Sequence, residues 1–502
     1  MRLSLVPSFM LALAMCAPAQ ARVTAFEIES RTPYGRFNGI DFVRIEARVR
    51  GELEKGDPIP ELDAALAAEG KGRYSTKVLL VAPERRANGM LLVEVPNRGR
   101  VISFALYNGP REPAVGVGST DPGTGFLQRE GLALASVTWE YGEGFVPPTF
   151  RDASGQVKNV EAAAFAAIRD VALFLRDARS DDEGRPNPLL GFVDRALVTG
   201  FSQTARFLRT FLAQGFNTHR GRIVFSGLHL HAGASGQMPI LVPGTGAKSA
   251  TASATPNVRN PDLRGVQEPP FTYADIAAAM KARGEPAPKI VVTNMTTDYL
   301  SIRASLARTG VDGGTKDLPL PENVRMYDVA GTAHSLNTAA SHPDCEKPLG
   351  RLDYRPVMRS SMINLQRWVS GADEPPPSAL MPLVASDDPS LLGAPKHLPQ
   401  AKVLAPARDR DGNYLGGIRL PEVAAPLGVH GAQNAPLTAA ACRLSASFVS
   451  FGGERVAARY GSRAEYVRQV EAASAKLVSA RTLLPEDALE INRAARSMRW
   501  GE

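Results

Sequence analysis

One serine in this sequence lies where a strand, a sharp turn and a helix follow one another. Ala196 to Thr199 is an apolar run typical of a buried strand, and the tight turn around Ser202 follows it directly. From Ala205 onward apolar residues recur at helical spacing, and Gly215 offers a helix stop. This order is that of a nucleophile elbow, whose turn lifts the serine hydroxyl above the sheet and whose helix directs its positive end there. A Gly-Ser turn also occurs in many α/β proteins without such a role.

A serine hydroxyl needs two partners before it can act as a nucleophile. A base must take its proton, and a carboxylate must hold that base in the right tautomer. The apolar run 289–293 leads to Asp298, and the run 323–329 leads to His334. The order Ser202, Asp298, His334 is the order nucleophile, acid, base of α/β-hydrolases. The sequence therefore predicts a serine triad for acyl transfer to water.

Other residues compete for the roles of base and acid. His342 lies eight residues beyond His334, whereas Asp312 and Asp317 precede the last apolar run. A single histidine is more often structural than catalytic, and an aspartate in a turn is more often a surface residue. The positions of Asp298 and His334 directly after strands favour them as the acid and the base.

The predicted reaction also needs a site for the negative charge that develops on the substrate oxygen. Two backbone N–H groups usually form this oxyanion hole. One is predicted at Gln203, and the other in the loop after the run 90–95, at Asn97 or Arg98. Gly99 would allow the backbone to approach closely, whereas the Arg98 side chain carries a positive charge to the site or is simply solvated.

Pocket-lining residues are expected on the same side of the sheet. His229 follows a strand predicted at 222–226, and Trp139 and Tyr141 follow a strand predicted at 132–137. The stretch 232–288 is rich in Gly, Ser, Thr and Pro, and we interpret it as a lid or pocket-lining insertion. Its apolar side chains form either an acyl pocket or a small core of their own: Leu241, Val242, Phe271 and Tyr273.

Apolar runs alternate with helical patterns along much of the chain. This alternation predicts an α/β fold, with a mostly parallel sheet and helices on both faces. Further strands are predicted at 42–49 and 76–81, and helices at 159–179, 271–283, 358–369 and 466–496 with a break at Leu484-Pro485. We predict a hydrolase domain at 22–370 and a C-terminal extension at 371–502 that packs on it.

Composition narrows the possible compartments and partners. Residues 1–21 combine a positive start, an apolar run and Ala-Gln-Ala, and predict a secretory signal peptide and a periplasmic or secreted protein. The net charge of +7 is spread over 58 basic and 51 acidic residues, so neither nucleic-acid binding nor stable membrane insertion is expected. Cys345 and Cys442 remain after processing and are expected to form a disulfide, or else two separate thiols. No cofactor fingerprint or metal-ligand cluster is expected.

Five segments carry a family resemblance: VEVPNRG, GFSQTARFLRTFLAQGFN, TNMTTDYL, VAGTAHS and GGIRLPEV. Together they resemble a bacterial family of secreted or periplasmic α/β-hydrolase-domain proteins, from Ala25 to the C-terminus. The resemblance implies an α/β-hydrolase fold, a serine esterase-like activity and a Ser202, Asp298, His334 triad, with Arg206 nearby on the elbow helix. One departure is Thr204, which stands where the general esterase pentapeptide has its second glycine.

These observations predict an exported serine hydrolase that cleaves a small carboxylic ester through an acyl-enzyme, without a cofactor. Lactones, thioesters and amides are alternative substrates for the same triad. A non-catalytic binding protein of the cell envelope is the alternative from another class, because a fold does not guarantee activity.

Overall fold

The computed structural model describes residues 22–59, 62–69, 72–110, 116–234, 236, 238, 272–310, 315–337, 339–386 and 404–498. The predicted signal peptide at 1–21 lies outside these residues. So does most of the predicted lid, including Leu241, Val242 and Phe271. Within the described ranges, no helix has both the length and the apolar character needed to cross a bilayer.

Most of the strands belong to one large sheet. In chain order the strands are β1 Val23–Phe37, β2 Ile40–Glu52, β3 Arg73–Pro83, β4 Met90–Val95, β5 Ala133–Val137, β6 Thr149–Arg151, β7 Val157–Asn159, β8 Arg195–Phe201, β9 Thr218–His219, β10 Arg222–Ile223, β11 Gly227–His231, β12 Lys289–Met295, β13 Val324–Val329, β14 Leu383–Ala385, β15 Leu404–Pro406, β16 Gly428–Gly431 and β17 Ser447–Ser450. The central sheet has nine strands in the order β1-β2-β3-β5-β4-β8-β11-β12-β13. Strands β5 to β13 of this order run parallel, and the three N-terminal strands are antiparallel.

Helices connect and cover these strands. In chain order they are α1 Leu62–Glu69, α2 Phe126–Arg129, α3 Ala163–Asp177, α4 Gln203–Ala213, α5 Tyr273–Ala282, α6 Thr296–Ser301, α7 Arg355–Ser370, α8 Pro421–Ala424, α9 Ala440–Arg443, α10 Gly453–Tyr460, α11 Arg463–Ser479 and α12 Pro485–Ser497. A π-helical turn at Phe104–Asn108 and a 3₁₀ turn at Ala304–Ala307 complete the regular elements of the described part.

The sheet has an apolar core on each face. In β4, Leu91 and Val93 belong to the core that α3, α4 and α5 cover, whereas Met90 and Leu92 belong to the core on the α7 side. Neighbouring side chains of a strand point to opposite faces, so a strand buried on both faces is apolar almost throughout. The predicted α/β-hydrolase fold, with a mostly parallel sheet between helices, is confirmed.

The prediction of a central strand at 222–226 is wrong in position. The strand of the central sheet is β11, Gly227–His231, and Arg222–Ile223 instead pairs with Thr218–His219 at the periphery. His229 and His231 were expected to follow the strand, but they lie within it. Both are buried inside the sheet, where the distant Tyr107 Oη lies 2.8 Å from His229 Nδ1 and 2.8 Å from His231 Nε2.

The described end of the predicted lid is a helix of the main core. Helix α5 begins at a capping box in which Thr272 and Asp275 bond each other's backbone N–H groups. Its Tyr273, Ile276 and Met280 side chains join the core on the α4 face. Residues 272–288 therefore form the crossover between β11 and β12, and the prediction of a lid concerns only the residues before them.

The C-terminal segment packs on the sheet. Its Met381, Ile418 and Leu420 side chains share one apolar core with Leu92 of β4 and Val291 of β12. The end of α7 at Ser370 matches the boundary that the sequence predicts. The division into two domains at that point stays a prediction.

Candidate active site

Ser202 occupies a strained turn between β8 and α4. Its backbone has φ 54° and ψ −108°, a region that residues other than glycine rarely adopt. The backbone N–H of Ser202 donates to the carbonyl oxygen of His231 at 2.8 Å, which ties the turn to β11. Strain of this kind occurs at functional sites, where the surrounding structure holds the residue in place.

Thr204 closes this turn with its hydroxyl group. Its Oγ1 accepts the N–H of Phe201 at 2.9 Å and lies 3.1 Å from the carbonyl oxygen of the same residue. A second glycine at position 204 would allow the strand and the helix to approach closely. Here Gly200, on the strand, allows that approach instead. A Cβ on Gly200 would lie 2.7 Å from the backbone carbonyl of Thr204.

Gly200→Ala is expected to destabilise the turn and to lower activity together with stability. The added methyl group meets backbone atoms, which cannot move aside as a flexible side chain can, and overpacking of this kind costs about 1–3 kcal/mol. Thermal unfolding and ester hydrolysis of the variant measure both effects. Gly453→Ala is the control for a glycine with open space around its Cβ position and no positive φ. A Gly200→Ala protein with unchanged Tm and activity would contradict the tight packing of the elbow.

The structure brings the three predicted triad side chains into one hydrogen-bonded chain. Ser202 Oγ lies 3.0 Å from His334 Nε2, and His334 Nδ1 lies 2.6 Å from Asp298 Oδ1. Asp298 is fully buried, and its Oδ2 accepts the N–H of Met295 at 2.8 Å. The carboxylate is thus fixed on both oxygens, and one of them faces the ring nitrogen distant from the serine.

The C-terminal segment holds the histidine loop. The backbone N–H of His334 donates to the carbonyl oxygen of Leu444 at 3.2 Å. Beside it, Ser301 at the end of α6 donates through Oγ to the carbonyl oxygen of Arg443 at 2.8 Å. The sequence offered no signal for these contacts, because they join residues more than 100 positions apart.

A disulfide joins Cys345 and Cys442, as predicted. Cys345 follows His334 by eleven residues, and Cys442 precedes Leu444 by two. The bond therefore connects the loop after His334 to the C-terminal segment around helix α9, whose Leu444 carbonyl oxygen accepts the His334 N–H.

Removing this disulfide is expected to lower both stability and activity. A Cys345→Ser/Cys442→Ser protein loses a cross-link that spans 97 residues, and such a loss costs about 2–5 kcal/mol. A lower Tm in thermal unfolding and a reduced kcat in an ester assay measure the two effects. Wild-type protein with its disulfide intact is the reference. Unchanged values for both quantities would show that the cross-link does not support the histidine loop.

The competing acids and histidine lie elsewhere. Asp317 pairs with Arg308 at 2.8 Å, and Arg308 in turn pairs with Asp328 at 2.7 Å. His342 is partly exposed and lies 3.8 Å from Asp344. Asp312 lies outside the described residues.

The two backbone N–H groups predicted to complete the oxyanion hole bond other acceptors of the protein. The N–H of Asn97 donates to the carbonyl oxygen of Arg100, and the N–H of Arg98 donates to Glu140 Oε1, both at 3.1 Å. Arg98 and Gly99 have φ of 55° and 69°, as in a type I′ turn. In this conformation neither of the two predicted N–H groups faces the serine. Gln203 begins α4 directly after Ser202.

Asn97 instead supports the elbow through its side chain. Its Nδ2 donates to the carbonyl oxygen of Phe201 at 2.6 Å, next to Ser202. Trp139, expected to line the pocket, is buried; its Nε1 donates to the carbonyl oxygen of Pro96 at 2.8 Å, and its ring packs on Phe207. Tyr141 is 40% exposed. The placement of Trp139 is that of an anchor for the loop, not of a pocket wall.

Glu140 is a residue that sequence reasoning passed over. It is buried beside the loop, and burial raises the pKa of its carboxyl group to about 7. A carboxylate one residue after Trp139, at the exit of a core strand, was the available signal.

His229 lies below the elbow rather than at a strand exit. Tyr107 Oη is 2.8 Å from His229 Nδ1 and 2.8 Å from His231 Nε2, and it is 3.2 Å from Thr199 Oγ1. All four side chains are buried, and burial lowers the pKa of His229 to about 3. The network joins β8 and β11 inside the sheet, where His229 is fully buried and not at the strand exit that the sequence predicts.

Arg206 lies one helical turn beyond Ser202. Its N–H donates to the carbonyl oxygen of Ser202 at 3.2 Å, and its side chain is partly buried. Burial, reinforced by the positive charge of Arg98, lowers the pKa of Arg206 to about 10. Two positively charged side chains, Arg98 and Arg206, therefore lie near the elbow.

One group of possible metal ligands occurs in the described ranges, formed by His342, Cys345 and Cys442. The two sulfurs are joined to each other. Metal binding by cysteine requires free thiolates, so this group is not a metal site in the oxidised protein.

The fold and the site place the chain in a known family. A family model described as "Alpha/beta hydrolase domain" matches residues 54–493, and the protein belongs to this family.

Solved structures similar to this chain include three bacterial esterases. A glucuronoyl esterase from Solibacter usitatus is 14% identical, covering 62% of this chain and 82% of its own, with a TM-score of 0.30. A CE15 glucuronoyl esterase from Teredinibacter turnerae T7901 is 15% identical over 62% and 75%, with a TM-score of 0.28. Acetyl xylan esterase 1 from Thermoanaerobacterium sp. JW/SL YS485 is 10% identical over 61% and 80%, with a TM-score of 0.29. No curated protein matches.

Proposed function

We propose that this protein is a serine hydrolase that cleaves carboxylic esters through an acyl-enzyme intermediate. The observation that carries the proposal is the chain of contacts from Ser202 through His334 to Asp298, with distances of 3.0 and 2.6 Å. These contacts join residues 132 and 36 positions apart, which follow strands β8, β12 and β13 of the sheet, with β11 between β8 and β12. Chance packing would not be expected to bring a nucleophile, a base and an acid together in the geometry of a catalytic triad.

Each triad residue has a defined part in the proposed reaction. His334 Nε2 takes the Ser202 proton as Oγ attacks the acyl carbon, and Asp298 stabilises the imidazolium through Nδ1. The tetrahedral intermediate then collapses, the ester C–O bond breaks, and His334 gives the proton to the departing alcohol. Water, deprotonated by the same nitrogen, attacks the acyl-enzyme and releases the acid and free Ser202.

The negative charge of the tetrahedral intermediate lies at the start of α4 in this proposal. The N–H of Gln203 is the proposed donor to that oxygen, supported by the position of Gln203 directly after Ser202 and by the positive end of the helix. Because the N–H groups of Asn97 and Arg98 bond the Arg100 carbonyl oxygen and the Glu140 carboxyl group, we assign Asn97 to positioning. Its bond to the Phe201 carbonyl supports that role.

We also propose that the protein works outside the cytoplasm. The sequence of residues 1–21 and the Cys345–Cys442 disulfide support this location, since disulfides persist in oxidising compartments such as the periplasm.

The direct test is hydrolysis of p-nitrophenyl acetate, butyrate and octanoate by protein lacking residues 1–21, with Ser202→Ala measured beside it. Ser202-dependent release of p-nitrophenol supports the proposal, and the preferred chain length measures the acyl pocket. Hydrolysis at equal rates by both proteins would place the chemistry elsewhere. Absence of hydrolysis, together with an unreactive Ser202, would favour the non-catalytic binding protein; activity on lactones, thioesters or amides would keep the triad and change the substrate.

A further inference from the structure

We propose that Arg98 and Arg206 form a subsite for a negatively charged group of the substrate, so that the preferred ester carries a carboxylate near the scissile bond. This inference rests on the proposed function: Arg206 bonds the backbone of the proposed nucleophile Ser202, and the residue before Arg98 bonds the backbone of Phe201 next to it. It defines a substrate class, the anionic carboxylic esters, that the triad alone does not specify.

The position of Arg206 relative to Ser202 is the first observation. Residues four apart lie on the same face of a helix, and helical side chains lean toward the N-terminus. Arg206 follows Ser202 by four residues in α4, and its N–H bonds the Ser202 carbonyl oxygen at 3.2 Å. The guanidinium group is therefore directed back toward the end of the helix that presents the nucleophile.

The position of Arg98 is the second observation. The side chain of Asn97 fastens its loop to the carbonyl oxygen of Phe201 at 2.6 Å, so the next residue lies beside the elbow. Arg98 is exposed and has a φ of 55°, a left-handed conformation that is strained for a residue other than glycine. Glycine would hold this turn without strain, so the strain is consistent with a use for the side chain.

The charge balance of the pair is the third observation. Among the described residues, neither guanidinium group forms a hydrogen bond or an ion pair with a carboxylate, and the charge of Arg98 acts unfavourably on the partly buried Arg206. Glu140 accepts the Arg98 backbone N–H and its charge attracts the Arg98 guanidinium group, but burial raises the pKa of its carboxyl group to about 7 and so weakens it as a counterion. Two like charges at one site are relieved by an anion.

Guanidinium groups favour a carboxylate as that anion. Their planar N–H donors match its two oxygens, and hydrogen bonds between charged partners are roughly twice as strong as neutral ones. A substrate carboxylate seated there would hold the ester against Ser202, and the interaction would appear in kcat/KM.

The first test compares esters that differ in charge. Monomethyl and dimethyl succinate place or remove a carboxylate on the acyl side, and 4-acetoxybenzoate and 4-acetoxybenzamide do so on the alcohol side. We expect kcat/KM of wild-type protein to favour the anionic member of at least one pair by about 10- to 100-fold, the range of charge-assisted hydrogen bonds. The pair that shows the preference identifies the side of the ester that carries the charge.

The arginines are then replaced one at a time. Arg206→Gln and Arg98→Gln are each expected to lower the ratio of anionic to neutral kcat/KM at least about 5-fold, and Arg206→Lys to restore part of it. Arg468→Gln, in an exposed position on α11, is the control and should leave the ratio unchanged. A wild-type ratio near one for both pairs, or a ratio that neither arginine affects, would overturn the inference.

A binding measurement separates this inference from the proposed function. Calorimetry with Ser202→Ala protein, in which the ester persists, should give a Kd for 4-acetoxybenzoate or monomethyl succinate at least about 10-fold below that of its neutral partner. The Arg206→Gln change should remove the difference. Selective binding without any ester hydrolysis would support the subsite and overturn the proposed reaction. Ser202-dependent hydrolysis with equal binding of charged and neutral esters would do the reverse.

Discussion

Ser202→Ala is expected to lower kcat/KM for p-nitrophenyl esters by at least about 10⁴-fold. The variant removes Oγ, which lies 3.0 Å from His334 Nε2 and which we propose as the atom that forms the acyl-enzyme. The strained backbone of residue 202 and its bond to the His231 carbonyl persist with alanine. The Tm is therefore expected to change little, and the loss to be chemical.

Ser226→Ala is the matched control for this variant. Ser226 lies directly before β11, at the end of the β8–β11 pair opposite to Ser202. Its Oγ donates to the carbonyl oxygen of Ala196 at 3.2 Å. Its replacement should leave hydrolysis within about 2-fold of wild type, because surface-like positions away from the site have small effects. Ser202→Ala protein that retains wild-type kcat/KM would show that another group carries the reaction.

Asp298→Asn is expected to lower kcat by about 10³- to 10⁴-fold. The change keeps the size of the side chain but removes the negative charge that faces His334 Nδ1 at 2.6 Å. An amide nitrogen at that position would favour the tautomer in which Nε2 carries the proton, and this nitrogen could no longer accept one from Ser202. The pH dependence of the residual rate and the Tm separate this effect from misfolding, because Asp298 also accepts the Met295 N–H.

Asp344→Asn provides a control in which an aspartate also stands beside a histidine. Asp344 is largely exposed and lies 3.8 Å from His342, away from the triad. Exposed pairs contribute little to stability, so this variant should match the wild type in kcat and Tm. Equal kcat for Asp298→Asn and wild-type protein would exclude Asp298 as the group that orients the base.

The three triad positions could be predicted because each follows a strand that the sequence marks clearly. The strands β8, β12 and β13 are apolar runs, since both faces of the sheet are covered, and the carboxyl ends of parallel strands meet at one edge. Sequence order then assigned nucleophile, acid and base. The geometry brings these residues together; their catalytic roles stay predictions.

The surroundings of the triad could not be predicted from the sequence. The sequence did not show that His229 and His231 are buried within a strand, because their partner, Tyr107, lies more than 120 positions away from both. Likewise, the N–H of Arg98, expected to donate to the oxyanion, instead bonds Glu140, 42 residues further on. Such contacts depend on tertiary packing and leave no local pattern.

Thr204 shows how a motif can depart from its pattern without losing its geometry. Local spacing alone marks it as a missing glycine. In the structure its hydroxyl group bonds the backbone of Phe201, and the close approach is made at Gly200. The turn therefore keeps its shape by a hydrogen bond that the general motif does not use.

The most direct test of the central claim, that Ser202 is an activated nucleophile, is labelling with a fluorophosphonate followed by peptide mass spectrometry. We expect one adduct per chain, on Ser202, absent in Ser202→Ala and strongly slowed in His334→Ala protein. Intact folded protein that hydrolyses esters while Ser202 stays unlabelled, or that is labelled at another serine, would contradict it.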